Sequence, residues 1–336
     1  MKFAVIGINH GHIYGQVEGL LTVPGSQCAG VAVDQPHLLE EFSRRFPQIP
    51  IRTRESILND ATVDLIASAS INSDRGPLAV EVLSRGKHFF VDKPPLTDLA
   101  QLEPLRRAIA TSGKLFFVYY SERLSNPFDQ QAKTIYQQGG IGELVHLMGL
   151  GPHKLNADIR PDWIWNPRQY GGVINDLLSH QVDWFCWFTD QKIRQFSSRL
   201  GQFGAAAGRE FDDFGDVMVT AENGITGYFR ADWFTPEKSP VWGDIRGLIV
   251  GTRGTIEIRR IINLGAVDTP DSGPCMILTN DQSGPTRIPA GNQPLAWPQH
   301  IASSLRTGKN QLNDPEMVLH VIETTLRMQC QAIRVK

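Results

Sequence analysis

Cysteine is scarce. Cys28, Cys186, Cys275 and Cys330 are scattered through 336 residues without a C-x-x-C pair. That spacing excludes a disulfide framework and a cysteine-rich zinc site, and it points to reduced thiols in a cytoplasmic protein. An excess of either charge is also missing. The net charge of −2 leaves no basic surface for nucleic acid or an acidic membrane, so neither is expected as a partner. No apolar run approaches the roughly 20 residues of a membrane span. The N-terminus reads as a strand with one lysine, not as a secretory leader. Internal repeats and low-complexity tracts are absent as well. What remains is a chain with 41% hydrophobic residues, long enough for two domains with a sizeable core in each.

Up to residue 122 short apolar runs alternate with helical stretches. Phe3–Ile6, Gly30–Val33, Leu65–Ser68, His88–Val91 and Leu115–Tyr119 read as strands, and Leu38–Phe46, Leu78–Ser84 and Leu99–Thr111 as helices. Such alternation predicts a parallel sheet covered on both faces, an α/β domain of Rossmann type. Gly86 and Gly113 stand where helices end before strands. Beyond residue 140 the strands follow one another: Val145–Leu150, Phe196–Gly201, Val217–Ala221, Thr226–Phe234, Gly247–Val250, Thr255–Arg260 and Met276–Thr279. Asn223-Gly224 and the segment Gly251–Gly254 supply turn chemistry between them. With helices at Val173–Phe188 and Glu316–Ala332, this half reads as an α+β domain with a mainly antiparallel sheet. The expected boundaries are 1–122 and 123–336, with a closing helix at 314–335 packing back on the first domain.

Three stretches carry chemistry. The first is Gly7-Ile8-Asn9-His10-Gly11-His12, a turn between a strand and a helix. It has the setting of a dinucleotide loop, but the G-x-G-x-x-G pattern reads G-x-N-x-x-H. Gly7 keeps the tight turn. Asn9 tolerates positive φ, so it is expected to preserve the backbone path, and a helix N-terminus attracts phosphate. Asp34 lies 22 residues beyond His12, which suits an acid bonding the adenosine ribose and disfavouring a 2′-phosphate. NAD is therefore expected over NADP. The pair His10/His12 also suggests a metal, with His153 and His180 to complete it. No acidic ligand is evident beside the pair, so it reads as loop lining and no metal is expected.

The second stretch, HFFVDKPPLTD (88–98), leaves the fourth strand at the carboxyl edge of the sheet. Two prolines stiffen the turn after Lys93, so its ammonium either points into the cleft or decorates the surface. The third, YGGVINDLLSHQVDWF (170–185), places Asp176 and His180 four residues apart on one helical face. A carboxylate beside an imidazole suits a general base near neutral pH, and equally a surface pair on a core helix.

Together the three stretches resemble the Gfo/Idh/MocA family of nicotinamide-dependent oxidoreductases over almost the whole chain. That family carries Glu-Lys-Pro after its fourth strand, matched by Asp92-Lys93-Pro94. It also carries a G-G-x-x-x-D-x-x-x-H-x-x-D pattern, matched by Gly171, Gly172, Asp176, His180 and Asp183. Val63–Ile66, Gly86–His88, Arg123 and the C-terminal helix fit as well. The resemblance implies a large open second-domain sheet, and a hydride moved between nicotinamide and a hydroxyl or carbonyl carbon of a sugar, polyol or related compound. Lys93 would hydrogen-bond the reacting oxygen and stabilise its developing charge. His180 would take or return the proton, and Asp176 would orient the substrate or His180. The catalytic set is Lys93, Asp176 and His180. The cofactor set is Gly7, Ile8, Asn9, His10, His12, Ile13, Asp34, Ser70, Asn72, Asp92, Lys93 and Arg123. Trp163, Trp165, Arg168 and Tyr170 join Lys93, Asp176 and His180 as substrate lining, although the two tryptophans equally suit loop anchoring. The departures are the aspartate at 92, Asn72-Ser73-Asp74-Arg75 where the family often has a histidine, and the loop. Rival functions are a non-catalytic nucleotide- or sugar-binding regulator and a glycoside-cleaving enzyme using NAD transiently. An apolar sheet face needing cover predicts a homodimer or homotetramer.

Overall fold

The computed structural model describes residues 1–206, 208–289 and 294–335. The chain forms two units: Met1–Tyr120 with Asn166–Gly171 and Leu295–Glu323, and Ser121–Trp165 with Gly172–Pro294 and Thr324–Lys336.

The first unit contains β1 (Lys2–Ile6), α1 (His12–Leu21), β2 (Gln27–Ala32), α2 (Pro36–Arg45), α3 (Arg54–Leu58), β3 (Leu65–Ser68), α4 (Asn72–Ser84), β4 (His88–Asp92), α5 (Leu102–Ser112) and β5 (Phe116–Tyr119). The strands form a wholly parallel sheet in the order β2-β1-β3-β4-β5. A single parallel bridge, Val31↔Ile51, extends it beyond β2. Counting that vestige as a strand gives the doubly wound order 3-2-1-4-5-6, whose direction of winding reverses between β1 and β3. Apolar runs such as β3, buried at every residue, produce this arrangement because both sheet faces are covered. Local signals agree with the elements. Pro36 opens α2 and Arg44 and Arg45 close it, while Gly113 ends α5 in the left-handed conformation at φ 65°.

The second unit begins with α6 (Ser121–Leu124), α7 (Pro127–Gln137) and β6 (Leu144–Pro152). The chain passes through α8 (Pro167–Tyr170), which clusters with the first unit, to α9 (Ser179–Thr189). Then come β7 (Ile193–Gly201), β8 (Phe214–Ala221), β9 (Thr226–Asp232), β10 (Arg246–Gly251), β11 (Gly254–Arg259), β12 (Cys275–Asn280) and β13 (Ser283–Pro289). α10 (Trp297–Thr307) and α11 (Pro315–Gln331) up to Glu323 fall in the first unit, and the rest of α11 with β14 (Ile333–Arg334) falls in the second. Nine strands lie in the order β13-β12-β11-β10-β6-β9-β8-β7-β14. Only β6·β9 and β7·β14 pair in parallel among the described strands. One face lies beneath α9. Glycines 149, 151, 215 and 247 form a low track there, and a Cβ on any would meet Gln181, Ile174 or Trp184 at 2.6 to 3.1 Å.

The closing helix differs from its expected extent of 314–335: it stops at Gln331, and Ile333–Arg334 pair with β7. Arg334 ion-pairs with Asp212, so this end is held as a strand. β13, which the sequence did not suggest, is a polar edge strand containing two prolines, the place in a sheet where proline is tolerated. The described cysteines form no disulfide. No helix among the described residues is long and apolar enough to cross a membrane.

Candidate active site

Because β1, β3 and β4 are parallel neighbours, their carboxyl ends reach one edge and deliver Gly7, Ser70 and Lys93 there. Gly7 has φ +79°, and a Cβ on it would meet the Ser70 Cβ at 2.5 Å, so only glycine fits this turn. The expectation for Asn9 needs correction. It is not among the positive-φ residues, and its Nδ2 instead donates to the Gln35 Oε1 at 3.4 Å. The loop is thus tied to the segment carrying exposed Asp34. Ile8 and Ile13 are buried and anchor the loop from below.

Close packing of α1, the usual task of the last glycine in the motif, falls to later residues. A Cβ on Gly15 would press on the Tyr119 hydroxyl at 3.2 Å, and one on Gly19 would overlap Trp297. His12 is thereby released for another use. Its Nδ1 lies 2.8 Å from Asp92 Oδ1, and the His10 Nδ1 lies 3.2 Å from Asp92 Oδ2. The two imidazoles meet edge to face at 4.2 Å, and the His12 N–H donates to the His10 Nδ1 at 3.2 Å. An acidic ligand does therefore accompany the histidine pair, which the linear spacing concealed. Neither His153 nor His180 belongs to this cluster: His10, His12 and Asp92 are the single group with metal-ligand spacing among the described residues.

Asp92 has no exposure, and it organises the groups around it. Its Oδ1 accepts the Lys93 N–H at 2.9 Å and its Oδ2 accepts Arg75 Nη2 at 3.2 Å. Burial alone would push its carboxyl up. The combined pull of His12, Arg75 and His10 outweighs that and holds it well below the usual carboxylate range. Burial pushes the His10 imidazole down to about 4, and His12 beside it adds to the effect.

Arg75, absent from the expected site, is its main fastener. The fully buried guanidinium donates Nε–H to the Ser70 carbonyl at 2.8 Å, and further N–H groups to the Lys93 and Pro94 carbonyls. It clamps the ends of β3 and β4 together and fixes the turn that presents Lys93. The sequence signal was present: one arginine stands just before the mainly apolar run of the helix, RGPLAVEVL. Asn72 is buried too, but its Nδ2 donates to the Tyr170 carbonyl at 2.9 Å and holds α8.

In the second unit Gly171 and Gly172 have φ 87° and 88°. A side chain on Gly172 would overlap Gln329, whose Oε1 accepts the N–H groups of Ile174 at 2.9 Å and Asn175 at 3.4 Å. The paired glycines make room for this distant cap. The helix is not regular α throughout as expected, because Ile174–Leu178 form a π-turn before α9 begins. Asp176 lies in that widened turn and His180 in the first turn of α9, at 8% and 2% exposure. Such π-turns recur where a helix must offer side chains to a site.

Arg123 is committed elsewhere. Its Nε and Nη2 donate to both oxygens of Asp183 at 2.6 and 3.1 Å, and its plane lies over Trp187 at 5.0 Å. Burial pushes the Asp183 carboxyl up while Arg123 pulls it back. This ion pair pins α6 to α9 and engages the guanidinium that the sequence assigned to the cofactor. Trp165 meets Phe211 at 5.2 Å and carries Arg209 on its face at 4.2 Å. Trp163 is half-buried, Tyr170 buried and Arg168 exposed.

A dinucleotide suits the first unit. The left-handed glycine is in place, a Cβ on Gly11 would meet no atom within 4 Å at the head of α1, and Asp34 follows β2. Comparison with known proteins agrees. Residues 1–120 match the oxidoreductase family with an NAD-binding Rossmann fold, and residues 130–257 match the GFO/IDH/MocA C-terminal domain. A crystal structure of a candidate oxidoreductase from Erwinia carotovora atroseptica SCRI1043 is 36% identical, with a TM-score of 0.93 and 100% of both chains covered. A D-xylose dehydrogenase of Paenarthrobacter nicotinovorans is 28% identical over 57% of this chain and 49% of its own length. A scyllo-inositol 2-dehydrogenase (NAD(+)) of Bacillus subtilis is 22% identical over 77% of this chain and 73% of its own. The match spans about half the length of the first two curated relatives.

Proposed function

Because the chain belongs to the GFO/IDH/MocA family of NAD-binding oxidoreductases, we propose that it oxidises or reduces a hydroxyl or carbonyl carbon of a sugar, polyol or related compound. The observation that carries this reading is the delivery of Gly7, Ser70 and a buried, clamped Lys93 to one carboxyl edge of the parallel sheet. Bound nicotinamide supplies the hydride acceptor or donor. In the oxidising direction His180 takes the hydroxyl proton as the C–H hydride departs and the C=O bond forms, and Asp176 orients that imidazole. The Lys93 ammonium donates to the oxygen as charge develops on it. Asp34 favours NAD over NADP, because a carboxylate repels a 2′-phosphate. Trp163, Trp165, Arg168 and Tyr170 are assigned to substrate recognition, where aromatic faces pack on sugar C–H surfaces. The relatives' names, D-xylose and scyllo-inositol dehydrogenase, support that substrate class.

The test follows nicotinamide absorbance with NAD and with NADP across a panel of aldoses, polyols and inositols. Absence of any substrate-dependent change with either cofactor overturns the oxidoreductase reading. Product formation without net NADH would select the transient-NAD alternative.

The same reading includes assembly. Opposite the glycine track, Leu248, Met148, Tyr228 and Met218 stand in register across β10, β6, β9 and β8, with Met218 at 58% exposure. This apolar row is assigned as the contact between copies in a dimer or tetramer. Light scattering at micromolar concentration should show the oligomer, and Met218→Glu should dissociate it. A monomeric wild-type chain overturns that assignment.

A further inference from the structure

The geometry points to a divalent transition-ion site of the Zn²⁺ class in the dinucleotide loop, with His10, His12 and Asp92 as its protein ligands. Two imidazoles and a carboxylate form a set that borderline ions such as Zn²⁺ and Co²⁺ prefer. Their separations suit a shared ion. The His12 Nδ1 to Oδ1 distance is 2.8 Å and the His10 Nδ1 to Oδ2 distance is 3.2 Å. Ligands bound at about 2.0–2.2 Å to one tetrahedral ion stand roughly 3.4 Å apart, and the three ligand atoms here lie within 4.8 Å of one another, so small side-chain rotations close the set on an ion.

A second observation separates this cluster from a set of ordinary hydrogen bonds. The His10 Nδ1 faces two groups, the His12 N–H at 3.2 Å and Asp92 Oδ2 at 3.2 Å. Bare, that nitrogen accepts from the N–H but sets its lone pair against a carboxylate oxygen. Carrying a proton, it serves the carboxylate but faces the N–H. Neither state satisfies both contacts. A cation between nitrogen and oxygen removes the repulsion by taking the lone pair, and the His12 N–H gives up the His10 Nδ1 as its acceptor.

The outer groups also suit an ion. Ligating carboxylates are themselves held by hydrogen bonds, and here Arg75 and the Lys93 N–H hold Asp92. Three protein ligands leave coordination positions open, as in zinc sites that take an exogenous oxygen. Gly11, between the two histidines, has nothing within 4 Å of an added Cβ. An anionic oxygen, such as one from the pyrophosphate of a dinucleotide, can take an open position. The loop thereby regains phosphate affinity where Asn9 and His12 replace the usual glycines. That last step rests on the dinucleotide reading, whereas the ion site stands without it.

The experiment titrates the full chain, first stripped with chelator, with Co²⁺, and follows the visible d–d absorption that imidazole ligation produces. Zn²⁺ then competes it off. We expect one ion per chain, and a loss of affinity of at least about 100-fold in His10→Ala and in His12→Ala, since even outer-shell changes cost 10–100-fold. Thermal unfolding of the metal-free variants checks that they fold. Asp92→Asn is left out because Asp92 also fastens Arg75. A wild-type chain without saturable cobalt absorption overturns the site, and so do folded histidine variants that bind cobalt as wild type does. Dinucleotide binding by calorimetry, with and without Zn²⁺, separates the two readings. NAD binding without any cobalt site sinks the ion alone, and a cobalt site without NAD binding sinks the dinucleotide reading alone.

Discussion

The two units bury charge by opposite means. In the first, one carboxylate serves four groups from separate segments: His10 and His12 in the loop, Arg75 in α4 and the Lys93 N–H after β4. In the second, two buried arginines pair one to one with carboxylates. Arg123 grips Asp183 and Arg260 grips Asp129 through two N–H groups each, and the guanidinium planes lie over Trp187 and Trp184. A shared carboxylate makes the positions of its partners interdependent, which suits an edge that must hold a loop and a lysine in register. A forked pair over an aromatic face satisfies itself and asks nothing of its neighbours, which suits a scaffold. A polar interior near a binding edge therefore deserves to be read by how many segments share it, not by how many charges it holds.

The largest expected effects fall on turnover. His180→Ala should cost about 10²–10⁴ in single-turnover hydride transfer at saturating cofactor. Lys93→Ala should cost about 10²–10³. Cofactor affinity should change much less in both. If the two residues serve one chemical step, the double variant costs less than the product of the single effects. A near-normal rate in His180→Ala would move the proton to Asp176, Tyr170 or the loop histidines.

The next effect tests the contrast itself. Arg260→Met strands Asp129, which is 1% exposed and whose carboxyl burial already pushes up. Breaking such a pair costs about 3–5 kcal/mol in a urea unfolding curve, and Arg260→Met with Asp129→Leu should recover most of it. Arg75→Met should destabilise comparably but also abolish dinucleotide binding, measured by calorimetry where the variant remains folded. Unchanged dinucleotide binding in Arg75→Met would erase the distinction between the shared and the paired carboxylates.

A smaller effect concerns cofactor choice. Asp34→Ala should weaken NAD by roughly tenfold, the equivalent of a charge-assisted hydrogen bond of about 1.5 kcal/mol. NADP should gain relative to NAD in the same titration. An unchanged preference would mean that the exposed Asp34 carboxylate does not read the ribose.

Much of this was legible in the sequence, for reasons that differ between the units. The parallel strands showed because each is an apolar run closed by glycine chemistry, and β3 was legible to the residue. Seven strands of the second sheet showed through turn residues such as Asn223-Gly224, whose glycine has φ 90°. β13 and β14 did not show, because edge strands lack the apolar face that reveals inner ones. Lys93, Asp176 and His180 stood out through motif spacing. Arg75 did not, since its role depends on three carbonyls and a carboxylate contributed by β3 and β4. The meeting of His10 and His12 with Asp92 spans 80 residues of sequence. The π-turn at Ile174–Leu178 was equally hidden, because five apolar and polar residues in that order also fit an α-helix.

The smallest effect belongs to the opposite end of β4, away from the shared carboxylate. His88 opens the strand, and its Nδ1 accepts the Leu115 N–H at 2.9 Å, so the native structure holds the imidazole unprotonated. Burial pushes it down from 6.5 to about 4, and Lys114 adds to the shift. In the unfolded chain the same imidazole takes a proton near its ordinary value. Between those two values the unfolded state binds more protons, so stability falls as pH drops from 6.5 towards about 4 and levels off below. The ring is partly exposed, and solvent screening keeps the contribution modest. His10 adds to the slope over the same interval. His88→Asn retains an acceptor for the Leu115 N–H but cannot titrate. Its melting temperature should match wild type above pH 6.5 and fall less steeply on acidification. Parallel curves for the two chains would show that His88 is as easily protonated folded as unfolded, and that the acid sensitivity of the first unit lies in its loop.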